Sequence, residues 1–477
     1  MMRRLLILLL CVAVATSGHG AGSLPDLGDV ASAELSPLAE RQLGESIMQE
    51  IRWRDPAWLD DPEIEEYLNR LGRRLARVSG ESERRFEFFV INDASLNAFA
   101  LPGGYIGVHS GLLLAAESES ELASVLGHEI AHVTQRHIAQ LLGRQSQAGM
   151  VMLASILLAV LAARSDSQLS EAALAAGQAG AIQSQLGYTR SFEREADRIG
   201  LQMLDQAGFD VRGMPSFFER LQRNTRLYEN NAPGYLRTHP LTQERIADMG
   251  NRVEQMRYRQ VLDTPDFGYA RAKLRASAGL AIDAIRRHEA LLAANASDDA
   301  ARYGLARALL RSGDLVRAGG LVEALRKEGA PSPFVESLAA EIRLAAREPA
   351  AAVAILAPAA ERYPDNRSLR YALIDARLQA GQAVEAAAMA RSGAHAERED
   401  ARMWMLTARS EAALGRMSAH HRAQAEVHVL RGSLQAAIQQ LELARSAGDG
   451  DFFDLSAADA RMRELKAEFD RRRAERR

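Results

Sequence analysis

The chain has 477 residues, more than one ordinary domain needs, so two or three domains are expected, each long enough to bury its own core. Hydrophobic residues make up 47% and charged residues 25%, the balance of a soluble globular protein. A net charge of -3 supplies no basic field of the kind that holds phosphate backbones, which excludes nucleic acid as a partner.

The first residues set the compartment. Met1-Met2-Arg3-Arg4 supplies positive charge, residues 5–15 form an unbroken apolar run, and small residues follow, the pattern of a cleaved secretory signal. The run is shorter than the ~20 residues a spanning helix needs. A signal peptide is therefore predicted over residues 1–22, and the mature protein is expected to be exported. Cys11, the only cysteine, would leave with the signal, so no disulfide is available. Leu10 stands before it where a lipoprotein signal needs a small residue, so lipidation is not expected.

From residue 36 to about 263 the pattern is mixed. Ser36-Pro37 places a capping hydroxyl before proline at a first helical position, which predicts a helix over residues 38–53. A second helix begins at Pro62, with Ile64, Tyr67, Leu68, Leu71 and Leu75 at helical spacing. Then the period changes. Residues 86–91 are aromatic and β-branched, and residues 96–108 are interrupted by the turn signal Pro102-Gly103-Gly104, so a small sheet is expected. Ser118 opens an amphipathic helix with Leu122, Val125 and Leu126 on its apolar stripe, expected to continue past His137. Residues 150–163 are apolar apart from Ser155 and are too short to span a membrane comfortably. They read either as a buried helix or as a lid or membrane-touching segment.

After residue 263 the chain is rich in Ala, Leu and Arg, with no strand signal. Gly313, Gly381 and Gly415 share a 34-residue register, with Arg347 in the missing slot. Leu310, Leu344 and Leu378 precede the first three of these positions by three residues, and Pro364 falls where a unit should end. The spacing resembles that of tetratricopeptide repeats, in which helix pairs stack because no single pair can bury its apolar face.

His128-Glu129-Ile130-Ala131-His132 carries the chemistry. Histidines four apart on a helix differ by roughly 40° in direction and can grip one metal together. Glu129, roughly 100° round from His128, can reach a water activated by that metal and take its proton. Two imidazoles and an open position suit Zn2+. His137, nine residues beyond His128, is half a turn out of phase, so it is expected to face away from the metal and reads as a polar-face residue. A third ligand is better sought in Ser191-Phe192-Glu193-Arg194-Glu195-Ala196-Asp197. There Glu193 and Asp197 share a helical face while Glu195 points elsewhere, so Glu193 could bind the metal and Asp197 orient a ligand or handle protons. A solvated acidic helix start accounts for the same residues.

Asn97 through Gly104, Gly111-Leu112, the His128 to His132 motif and Glu193 through Asp197 occur in one order over roughly residues 36–255. Together they resemble the gluzincin metallopeptidases, the family that includes HtpX and the CAAX prenyl proteases, and within it the exported members that carry carboxy-terminal repeats. The resemblance implies a fold that is mainly α, with a zincin-like α+β protease domain over residues 36–262 and an α-solenoid of tetratricopeptide-like repeats over 263–477. It implies one zinc ion per chain, held by His128, His132 and Glu193, with Glu129 as catalytic base and Asp197 as proton donor. The residues themselves point first to Asp197 as an orienter. The resemblance also implies that His239, in Thr238-His239-Pro240, takes the metal's fourth position and holds the enzyme shut; alone, a histidine before proline reads as a loop residue.

The expected activity is endopeptidase cleavage, in the periplasm, of misfolded or stalled outer-membrane β-barrel proteins. The repeats would dock onto the barrel assembly machinery, with peripheral membrane contact open. The alternative is an assembly factor or chaperone acting through its repeats, with the zinc site mostly closed. Zinc peptidases commonly bind substrate along a sheet edge, which residues 96–100 or 105–108 could provide.

Overall fold

The computed structural model describes residues 36–81, 84–142, 190–225 and 234–475. The expected signal peptide and the apolar stretch 150–163 lie outside the described residues. Helix α1 spans Pro37–Arg54 and begins where the Ser36 hydroxyl accepts the Ala39 N–H. Helix α2 spans Pro62–Ala76, its first amides capped by the Asp61 carboxylate, and it buries Ile64, Leu68 and Leu75 completely.

Three strands follow: β1 (Glu87–Ile91), β2 (Ala98–Leu101) and β3 (Tyr105–His109). Their order is β1-β3-β2, with β1 parallel and β2 antiparallel to β3. The turn between β2 and β3 needs glycine at Gly104, where φ is 92° and a Cβ would come within 2.4 Å of the Arg85 carbonyl oxygen. This order corrects half of the sequence expectation. Strand β3 is central and offers no edge, while the far side of β1 is covered by Trp58 and Leu59. The edge strand beside the site is β2.

After α3 (Ser110–Ala115), helix α4 (Glu119–Thr134) runs through the middle of the molecule with every residue buried, its first turn capped by Ser118. It stops at Thr134 and does not run past His137, because Arg136 adopts a left-handed φ of 52° and a new helix, α5, begins at His137 (His137–Leu142). Helices α6 (Arg190–Gln206), α7 (Gly213–Thr225), the short α8 (Gly234–Thr238) and α9 (Gln243–Glu254) complete this part.

From Pro265 onward every described element is helical. The four positions in 34-residue register, Gly313, Arg347, Gly381 and Gly415, each follow the first helix of a pair with φ of 85°, 63°, 77° and 72°. The register therefore marks helix ends that need a left-handed residue, which is why glycine recurs. Gly279, one period earlier, has φ 62° and extends the register toward the amino terminus. Among the described residues no helix is long and apolar enough to cross a membrane.

The repeats are fastened to the sheet-bearing part. Their first helix, α10 (Pro265–Ser277), brings buried Lys273 to 2.8 Å from Asp61, with Glu63 on its other side. Farther along, Arg367 reaches Glu66 at 3.1 Å, Arg402 pairs with Asp60, and Arg431 lies over the Trp53 ring. The array thus turns back onto α1 and α2 around a cavity of about 1640 Å³. One hydrophobic core continues from Ile64 through Ala376 without a break at residue 263.

Lys273→Ala leaves two carboxylates buried without their cation, so unfolding free energy in a urea titration should fall by about 3–5 kcal/mol. A variant that also carries Asp61→Asn and Glu63→Gln should recover much of that loss.

Candidate metal centre

Helices α4 and α6 meet backbone to backbone. A Cβ on Gly200 would sit 3.0 Å from the His128 amide nitrogen, and one on Gly127 would sit 3.3 Å from the Gly200 carbonyl oxygen. Glycine on both sides of the crossing lets the inner face of α6, with Glu193 and Asp197, come against His128 and His132. Both carboxylates are at most 1% exposed, which rules out a solvated acidic helix start.

The inward atoms form a tight set. His128 Nε2 lies 3.0 Å from His132 Nε2, 3.3 Å from His239 Nδ1 and 3.5 Å from Glu193 Oε2. Glu193 Oε1 lies 3.0 Å from His239 Nδ1 and 3.5 Å from His132 Nε2. One ligand atom from each of these four residues lies within 4.8 Å of all the others. Donors at tetrahedral corners around a first-row divalent ion, ~2.0–2.2 Å from it, are separated by roughly 3.3–3.6 Å, so the set fits such an ion. Imidazole lone pairs 3.0 Å apart also repel unless positive charge lies between them.

Residues around the set hold it in place. Asp197 Oδ1 is 3.0 Å from His128 Nδ1, and Arg245 grips both Asp197 oxygens at 2.7 and 2.8 Å. Arg245 also places a nitrogen 2.8 Å from Glu193 Oε2. Burial opposes ionisation of Asp197, but His128 and Arg245 prevail and lower its pKa. Glu193 is likewise held well below the usual carboxylate range, burial being outweighed by His239 and His128. Burial pushes Glu129 upward, outweighing the lowering influence of His239, His128 and the Ala100 backbone. Although burial disfavours its charge, His128 is held up at about 9 by Asp197 and Glu193, whereas burial and the neighbouring His128 push His132 well below the ordinary value. The site calls for a cation, and a proton on His128 answers that demand in part.

His239 reaches the set from the end of α8. The His239 N–H is bonded to the Tyr235 carbonyl, and the Tyr235 N–H is donated to the Leu96 carbonyl beside β2. Its imidazole comes within 3.4 Å of Glu129.

One expectation fails here. His137 is completely buried, not on a polar face, and its Nδ1 is 2.8 Å from His132 Nδ1. The phase argument assumed one continuous helix, and the left-handed turn at Arg136 breaks it. Glu195 points away from the Glu193 and Asp197 face, as expected, and its carboxylate lies 3.3 Å from His137 Nε2. Sequence reasoning also missed Arg245 and the buried Tyr235. Arg245 is one of 59 basic residues and carries no local signature, since its partner lies 48 positions away.

Two histidines of one helical turn facing a buried carboxylate from a second helix define a metallopeptidase, and residues 62–253 match the model of Peptidase family M48. Residues 276–342 and 343–410 match tetratricopeptide repeats. The beta-barrel assembly-enhancing protease of Escherichia coli K12 is 34% identical over 94% of this chain and 92% of its own length, and the chain belongs to that metalloprotease family. A putative counterpart in Vibrio cholerae is 41% identical over 58% of each chain. The mitochondrial metalloendopeptidase OMA1 of Schizosaccharomyces pombe is 34% identical over 38% of this chain and half of its own length.

Gly200→Val must push α6 away from α4, because its branches would meet backbone atoms rather than a flexible side chain. Elemental analysis of the purified variant should show metal lost in proportion to the loss of proteolysis.

Proposed function

We propose that this protein is an exported zinc endopeptidase that hydrolyses peptide bonds of misfolded or stalled outer-membrane β-barrel proteins in the periplasm and also assists their assembly. The four-residue cluster of His128, His132, Glu193 and His239 is the observation that carries the reading. In it, residues 36–262 form the protease domain and residues 263–477 the repeat domain. The name of the Escherichia coli relative, a beta-barrel assembly-enhancing protease, supports the substrate class, and the signal-like amino terminus supports the compartment.

His128, His132 and Glu193 would hold one zinc ion per chain. When bound, the ion supplies Lewis acidity, polarising the scissile carbonyl and making water a better nucleophile. Glu129 is the base. Its carboxylate is buried beside His239, and burial raises its proton affinity, so it can take a proton from water and pass it to the departing amine. Asp197 is a positioning residue for His128 rather than the proton donor of the family resemblance. Arg245 occupies both of its oxygens, and its depressed pKa keeps it ionised.

His239 acts as the restraint, completing the ligand set and crowding Glu129. Substrate entering along the outer edge of β2 would compete with the α8 segment, which already uses the Leu96 carbonyl. Docking to the assembly machinery is assigned to the repeats, whose inner side faces the large cavity, and contact with a membrane would be peripheral. The alternative, an assembly factor whose zinc site stays mostly closed, is favoured by the same placement of His239.

Glu129→Gln should abolish casein hydrolysis while zinc content stays at one per chain. In cells, loss of function with this variant supports hydrolysis as the main role, and retention supports the assembly-factor reading. His239→Ala should raise casein cleavage severalfold; an unchanged rate would remove the restraint from the account.

A further inference from the structure

His128 and His132 are steadied by different means. His128 meets the buried Asp197 carboxylate directly, whereas His132 meets another imidazole. His137 stacks on Phe192 with ring centres 4.3 Å apart and planes inclined by 14°. Its Nδ1 faces His132 Nδ1 at 2.8 Å, and its Nε2 faces Glu195 Oε2 at 3.3 Å. Bond polarity runs one way through this chain. His132 Nε2 points into the ligand cluster, so its proton resides on Nδ1 and is donated to His137 Nδ1. His137 then carries its own proton on Nε2 and donates it to Glu195.

The backbone is built for this contact. The left-handed turn at Arg136 swings the chain so that His137 lies beneath His132. Buried Glu40 of α1 lies 3.5 Å from the Arg136 guanidinium and 3.6 Å from that of Arg84, which anchors the turn.

We propose that Glu195 and His137 form a positioning relay that fixes the tautomer and ring orientation of His132 as a metal ligand. Helix α6 thereby serves both histidines: Glu193 enters the ligand cluster, Asp197 aligns His128, and Glu195 aligns His132 through His137. The far end of the relay is open to solvent, since the Glu195 side chain is 39% exposed while Asp197 is sealed. His137 is a positioning residue, because its ring contacts His132 on the side away from the other ligands. The inference rests on the zinc reading of the site.

The test measures zinc affinity of the purified full-length mature protein by competition with a chromophoric chelator, and the visible spectrum after cobalt substitution. His137→Phe keeps an aromatic ring against Phe192 and removes both nitrogens. It should weaken zinc about 10- to 100-fold, the usual cost of losing a group that orients a ligand, and alter the cobalt bands. His137→Asn restores an acceptor near Nδ1 and should recover most of the affinity. Wild-type affinity in His137→Phe would overturn the relay. If that variant melts early without metal, Glu195→Ala decides, because its site is partly exposed. A severalfold loss of affinity supports the relay, and none overturns it. Should the unsubstituted protein itself bind no zinc, the metal-centre reading fails, and the relay with it.

Discussion

Three carboxylates, those of Glu129, Glu193 and Asp197, are buried in one small volume, and the guanidinium of Arg245 is the permanent cation in contact with two of them. Charges taken out of water are costly unless opposite charge meets them, and one arginine cannot balance three acids. Among the described residues the balance can be met by a metal ion, by protons on the imidazoles or by a proton on Glu129 itself. This deficit accounts for the divergent behaviour of neighbouring groups: Glu193 and Asp197 are held ionised, Glu129 is pushed toward its neutral form, and His128 becomes the preferred seat of a proton. A site with these demands is poised for a divalent cation and for a base whose proton affinity exceeds that of an ordinary glutamate.

The fold meets the demand by removing freedom from the metal helix. Helix α4 is buried along its whole length, and its contact with α6 through Gly127 and Gly200 leaves no layer of side chains between ligand-bearing backbones. Side chains on such a support sit close to their working geometry before any ion or substrate arrives. The short α8 packs its buried Tyr235 ring beside His128 and Phe217. It delivers His239 and is held at β2 by the amide of Tyr235.

The repeats are a fixed part of the same body. A continuous apolar core, the Lys273 cluster and the returning contacts at Arg367 and Arg402 join them to α1 and α2. The cavity they enclose is lined by paired charges and includes none of the four ligand residues. The cavity and the ligand cluster are therefore separate places in the described structure.

Features set by local backbone preference were legible in the sequence. Helix starts at Ser36, Pro62 and Ser118 and the phase of His128, Glu129 and His132 depend on residues a few positions apart, and the 34-residue register with Arg347 in its missing slot shows as a simple recurrence. Glu193 and Asp197 were candidates from their spacing of four, but their meeting with the histidines, and the candidacy of His239, came only through an ordered set of motifs, because no periodicity links positions 46 to 111 residues apart. Tertiary structure alone decided the rest: β2 rather than β3 as the edge, Arg245 as the partner of Asp197, the core that ignores residue 263, and the burial of His137. That last residue shows the reason most clearly. One left-handed residue, Arg136, resets the helical phase, and nothing local announces it, since the turn is held by Glu40 from a helix nearly a hundred positions away.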